Sequence, residues 1–307
     1  MTHAQRNVPF PHYAIQEAYP PADVEGIRRK FLDVPYADRS TAQRLDIYLP
    51  EEGEGPFPVI VSIHGGAFLA WDKSDSQVEP MLQGLRRGYA VVAVNYRLSF
   101  EARFPAQIHD LKAAIRWIRA NAKRYRLDPT RVAAWGGSAG GYLSAMLGTS
   151  AGVPELEDLS LGNPDRPSDV QAVVAWYPPT NFLSMDAQLI QAGMPPEAGK
   201  EHSGANSPES LLMGGQITTI PDRVRAASPG TYITAQTPPF LLQHGTRDST
   251  VPAQQSIEFA GTLRRVLGDD KVRLELIDDA AHLDPKFLTP ENIDKVFFFL
   301  DQCFHRT

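Results

Sequence analysis

Apolar positions along this chain follow two periods. Val59-Ile60-Val61-Ser62-Ile63 and Tyr89–Asn95 are apolar almost throughout, the composition of strands covered on both faces. Between about 105 and 125 the apolar residues instead recur every three or four positions, at Ile108, Leu111, Ala114, Ile115 and Ile118, which predicts a helix. The same reading predicts strands at Lys30–Val34, Arg44–Leu49, Pro58–Ile63, Arg131–Trp135, Ala172–Trp176, Phe240–Gln243 and Val272–Ile277. Helices are expected at Ala139–Leu147, Ala253–Leu267 and Pro290–Phe304. Strands alternating with helices imply an α/β class: a mainly parallel sheet flanked by helices, mixed at its start. Residues 181–230 break the alternation with Pro, Gly and Ser, and read as a small cap-like insertion over the sheet. Residues 1–27 read as an irregular N-terminal arm, leaving 28–307 as the main domain.

Composition narrows the partners. The 307 residues are 42% hydrophobic and 21% charged, ordinary for a globular chain that needs no disulfide or metal to fold. A formal charge of −6 argues against nucleic acid or an anionic membrane as partner. The lone Cys303 cannot form an internal disulfide and sits among Phe297, Phe298, Phe299, Leu300 and Phe304, which reads as a buried helix face. Met1–Pro21 lacks a basic start followed by an apolar run, so a cytoplasmic location is the default expectation, secreted or periplasmic if a leader was removed. No clustered Cys/His set points to a metal, and no cofactor is expected. The sequence leaves oligomeric state open, a homodimer included.

Three segments carry chemistry. Gly136-Gly137-Ser138-Ala139-Gly140 lies between a strand and a helix of small residues. A serine hydroxyl is a weak nucleophile that must be presented in a fixed, exposed turn, and glycines two residues either side avoid collision there. His64-Gly65-Gly66-Ala67-Phe68 follows a strand and offers backbone amides. With the amide after the nucleophile, this nominates Gly66, Ala67 and Ala139 as oxyanion donors. In such a layout the acid and the base follow the serine. His282, on a loop past the last predicted strand, is the expected base, and Asp248, on the loop after Phe240–Gln243, the expected acid. Asp278, Asp279 and Asp284 are rivals for the acid. His64 and His244 read as structural, His202 lies in the insertion, and His305 near the terminus. Phe68, Trp71, Trp176 and Tyr177 stand beside strand ends. They either line an aromatic substrate pocket or pack beneath the insertion.

With these pieces placed, the chain resembles α/β-hydrolase carboxylesterases of the hormone-sensitive-lipase-like group, and within them the bacterial acetyl and feruloyl esterase (BD-FAE-like) branch. The carriers are HGGAF at 64–68, NYRL at 95–98, FPAQIHDLKAAIRW at 104–117, GGSAGG at 136–141, HGTRDSTVP at 244–252 and AAHLD at 280–284. The resemblance implies a Ser138–His282–Asp248 triad acting on a small ester through an acyl-enzyme. Asp110 matches a structural position, expected to pair with Arg97 or another basic group. Ala67 replaces a glycine common in relatives and keeps its amide; Leu283 stands where many relatives place glycine. Alternatives on the same fold are an arylformamidase or amidase, a prolyl-peptidase-like domain, and a ligand-binding homologue without activity.

Overall fold

A computed structural model describes residues 19–304. Its centre is one eight-stranded sheet. In chain order the strands are β1 (Lys30–Pro35), β2 (Arg44–Tyr48), β3 (Phe57–Ile63), β4 (Ala90–Val94), β5 (Leu127–Gly137), β6 (Ala172–Trp176), β7 (Phe240–Gly245) and β8 (Val272–Ile277). They lie side by side as β1-β2-β4-β3-β5-β6-β7-β8. The β1–β2 and β2–β4 pairs are antiparallel, and the rest are parallel.

The unbroken apolar runs are explained by burial on both faces. Along β3, Val59, Val61 and Ile63 enter one core, while Ile60 between them enters the other. On the first face pack α2 (Ala106–Ala120), α4 (Ala139–Thr149) and α8 (Gln254–Leu267). On the second pack α1 (Glu79–Leu82) and α9 (Pro290–Cys303), where Phe297 meets the edge of Trp135. Fully burying each such side chain contributes about 1.5–3 kcal/mol.

Several boundaries differ from the sequence reading. β5 starts four residues earlier than expected, because Leu127 pairs with Phe57 beyond a register shift. The helix over 105–125 is interrupted at Asn121, after which α3 (Ala122–Tyr125) forms a further turn. On α9, Phe298 is 57% exposed and Cys303 is half-buried, so the apolar cluster there spans more than the buried stripe. The 181–230 segment holds α5 (Met185–Gln191), α6 (Pro208–Met213) and α7 (Pro221–Ala226). Its Phe182, Met185, Leu212, Met213, Ile217 and Val224 join the same core as α4. Of the expected N-terminal arm, residues 1–18 lie outside the described residues, as does His305. Residues 20–22 run beside the loop after β3, with Ala22 N–H donating to Ser74 O and Ser76 N–H to Pro20 O.

The sheet's order places the site. β3 has β4 on one side and β5 on the other, so the loops leaving β3 and β5 diverge at their carboxyl ends. Crevices in open α/β sheets form at such a reversal.

Candidate active site

Ser138 stands in the β5–α4 turn with φ 55° and ψ −122°, a conformation rarely adopted by a residue with a side chain. The surroundings leave no room to relax it. A Cβ on Gly140 would lie 2.0 Å from the Ile63 carbonyl oxygen, and one on Gly136 would lie 2.5 Å from the same oxygen. The glycines are therefore required by close backbone approach, and the strain holds the hydroxyl clear of the helix.

His282 Nε2 lies 3.0 Å from Ser138 Oγ, and His282 Nδ1 lies 2.7 Å from Asp248 Oδ2. A carboxylate can only accept, so the ring proton belongs on Nδ1. That leaves the Nε2 lone pair facing the serine hydroxyl, the arrangement a general base needs.

Asp248 is fully buried. Its Oδ1 accepts from the amides of Thr250 and Val251 at 2.9 and 2.8 Å. His244 Nε2 lies 3.3 Å from Oδ2 and 2.8 Å from Val251 O, while its Nδ1 faces the Ser256 hydroxyl at 2.7 Å. Burial pushes the Asp248 carboxyl up, but the His282 charge and the hydrogen bonds from His244 and His282 outweigh it, holding the group well below the usual carboxylate range. Among the rivals, Asp284 accepts from the amides of Ala281 and Lys286, which shapes the His282 loop.

The loop after β3 turns back on itself with positive φ at Gly66 (94°), Ala67 (52°) and Phe68 (64°). A side chain on Gly66 would strike Ala70 O at 2.2 Å. Among the described residues the amides of Gly66 and Ala67 have no protein acceptor. Ala139 opens α4, where a first-turn N–H has no intrahelical carbonyl. Unpaired amides at these positions suit an incoming oxyanion. His64 is buried and stacked on Tyr96 at 4.5 Å, with Nδ1 facing Gly65 O at 2.9 Å. Burial pushes it down to about 4. Gln77 braces the same loop by accepting from Gly65 N–H at 2.9 Å.

The aromatic residues divide. Trp176 and Tyr177, with Leu283 and Phe287, line a cavity of about 270 Å3 beside Gly137. The Tyr177 ring meets the His282 ring at 4.8 Å. Trp71 lies over Gly65 and Gly66 and meets the edge of Tyr19 at 4.8 Å. Phe68 is different: it is 1% exposed and fills the core between Tyr142 and Phe182 beneath the insertion. Asp110 pairs with Arg97 at 2.7 Å and accepts from Gln43, fixing the segment after β4.

Sequence reasoning gave His244 and His202 no part at the acid, and assigned nothing to Gln77 or Tyr96. Tyr96 was visible within the NYRL motif; its hydroxyl donates to His64 O at 2.9 Å. The others act through contacts between loops that lie apart in the chain, except for the four-residue step between His244 and Asp248.

The BD-FAE family model matches residues 45–263. The probable carboxylic ester hydrolase LipM of Mycobacterium tuberculosis is 32% identical over 247 residues, covering 80% of this chain and 54% of that protein. Esterase LipQ of the same organism is 31% identical, covering 76% of this chain and 52% of its own length. The chain thus spans about half the length of these curated relatives. Among solved structures, a truncated carbohydrate esterase from gut microbiota superposes with a TM-score of 0.81 at 30% identity, covering 92% of this chain and 99% of that one. A bifunctional GH43-CE protein of Bacteroides eggerthii gives 0.80 at 33%, covering 90% of this chain and 38% of that one. The sheet and its flanking helices are those of an α/β-hydrolase, and this chain belongs to the BD-FAE family.

Proposed function

We propose that the chain is a serine carboxylesterase acting on short-chain acyl or aryl esters, acetyl and feruloyl types among them. The observation that carries the reading is the continuous hydrogen-bonded line from Asp248 through His282 to Ser138, at 2.7 and 3.0 Å. In the first half-reaction His282 Nε2 takes the hydroxyl proton as Ser138 Oγ attacks the ester carbonyl carbon. The oxyanion is met by the amides of Gly66, Ala67 and Ala139, each worth about 3 kcal/mol in such sites. His282 returns the proton to the leaving alkoxide, and the acyl group stays on Ser138. Water then attacks the acyl-enzyme with the same base, releasing the acid and restoring the serine. Asp248 holds the Nδ1–H tautomer and offsets the imidazolium charge throughout.

The substrate class draws on the relatives named as esterases and on the carbohydrate esterase that shares the fold. Trp176, Tyr177 and Phe287 line a cavity beside Gly137 that Ser138, His282 and Asp248 do not line, so the choice of acyl group rests on the relatives. The test is a panel of p-nitrophenyl acyl esters, methyl ferulate, acetylated xylan and N-formylkynurenine, assayed with wild type and Ser138→Ala. Turnover of acyl esters that vanishes in the variant is the expected result. Turnover of N-formylkynurenine alone would replace the esterase reading with an arylformamidase, and full activity in Ser138→Ala would remove the nucleophile.

A further inference from the structure

The insertion between β6 and β7 touches the acid loop through His202. This side chain is buried between α5 and α6. Its Nδ1 lies 3.0 Å from Glu209 Oε1, and its Nε2 lies 2.9 Å from the Thr250 carbonyl oxygen. Both facing groups are acceptors when Glu209 is ionised. A neutral imidazole carries one N–H, so it would turn a lone pair against one of them. The pair is satisfied with both ring nitrogens protonated. Glu209 Oε2 is buried without a hydrogen-bond partner among the described residues, which makes His202 the carboxylate's counter-charge. The other charged group facing His202 is Asp186 of α5, whose carboxylate accepts from the amides of His202 and Ser203; Asp248 lies beyond the Thr250–Val251 peptide. Burial pushes the His202 ring down, but Glu209, the Thr250 carbonyl and Asp186 together lift it to about 9.

The Thr250 carbonyl and the Val251 N–H belong to one peptide unit. Its oxygen faces His202, and its N–H donates to Asp248 Oδ1 at 2.8 Å. A charged donor on the carbonyl polarises the peptide and strengthens the N–H at the other end. We propose that His202, held by Glu209, is a positioning residue for the acid. It acts through the Thr250–Val251 peptide to fix and electrostatically support Asp248, and so ties the insertion to the reactivity of Ser138. The kinetic test rests on the esterase reading above; the spectroscopic test does not.

His202→Gln keeps a neutral donor, and Glu209→Gln removes the counter-charge. With a short-chain acyl ester followed in a pH-stat, wild-type kcat should fall as pH rises through about 9. In Glu209→Gln the fall should come about one pH unit earlier or more, because the opposing charge is gone. In His202→Gln that fall should be absent, with kcat at pH 8 about tenfold lower and KM within about twofold, the loss expected of one charge-assisted bond. Superimposable pH profiles for the three proteins would overturn the proposal. Should a variant fail to fold, the wild type provides a second readout. The 15N signals of the His282 ring should inflect at the pH where His202 loses its proton, and signals unmoved across that titration overturn the proposal. Failure of the esterase reading looks different: no ester turnover by wild type, with the His282 inflection intact.

Discussion

At the residue scale, Asp248 gathers four donors: two amides, His282 and His244. Its folded pKa is depressed, so its contribution to stability is present above the unfolded value of about 3.9 and is lost as pH falls through the folded value. The carboxylate therefore stays ionised across any ordinary assay range. Asp248→Asn preserves the shape but can present an amide N–H where the ring proton must point. We expect kcat to fall about 10^3 to 10^4-fold with KM little changed, read from steady-state kinetics on a short acyl ester. Ser138, His282 and Asp248 were legible because motif and chain order constrain them together. His244 was not, since its bonds to Val251 O and Ser256 form only when the loop folds back over the end of β7. The four-residue step from His244 to Asp248 was the available hint.

At the element scale, the turn between β5 and α4 tolerates no added carbon. Gly140→Ala would place a methyl group 2.0 Å from the Ile63 carbonyl oxygen, so α4 must withdraw from β3. We expect a loss of about 3 kcal/mol or more in urea unfolding, and turnover lowered beyond what residual folding explains. The loop after β3 is anchored by a different device. Lys73 Nζ sits 3.2 Å from Asp46 and 2.8 Å from Asp33, while its amide donates to Asn95 at 2.7 Å. Burial pushes the Lys73 ammonium down, but Asp33, Asp46 and Asp72 more than compensate. Lys73→Met leaves the buried Asp46 carboxylate without its cation. A loss of about 3 kcal/mol is expected, measured by the same unfolding assay. The long elements were readable from periodicity because each repeats its pattern for several turns or a full strand. The helices α5, α6 and α7 were not: six or seven residues make under two turns, too short to show a period, and the prolines that open α6 and α7 read equally well as loop.

At the scale of the whole molecule, two buried groups bracket the stability curve. His202 has a raised folded pKa, so its contribution is complete below the unfolded value of about 6.5 and disappears as pH rises through about 9. Asp248 works in the opposite sense at the acid end. The melting temperature should therefore reach its highest plateau below about pH 6.5 and decline as pH rises from there through about 9. Glu209→Gln should remove most of the alkaline decline while lowering the plateau, by on the order of 3 kcal/mol at its upper limit. A thermal scan across pH checks both statements, and an unchanged alkaline slope in the variant would contradict them. The sheet's parallel half was readable as a class, but its strand order was not, because order depends on which runs pair and not on their composition. That order has a kinetic corollary. Ser138 leaves β5, Asp248 follows β7 and His282 follows β8, at the last edge of the sheet. Trp135 and Trp176 meet Phe297 of α9 and Phe287, which both follow His282 in the chain, so these indoles are enclosed only when the segment carrying His282 docks. During refolding, the burial-linked change in indole fluorescence should therefore keep pace with the return of hydrolysis, and a fluorescence signal complete well before any turnover would contradict this order.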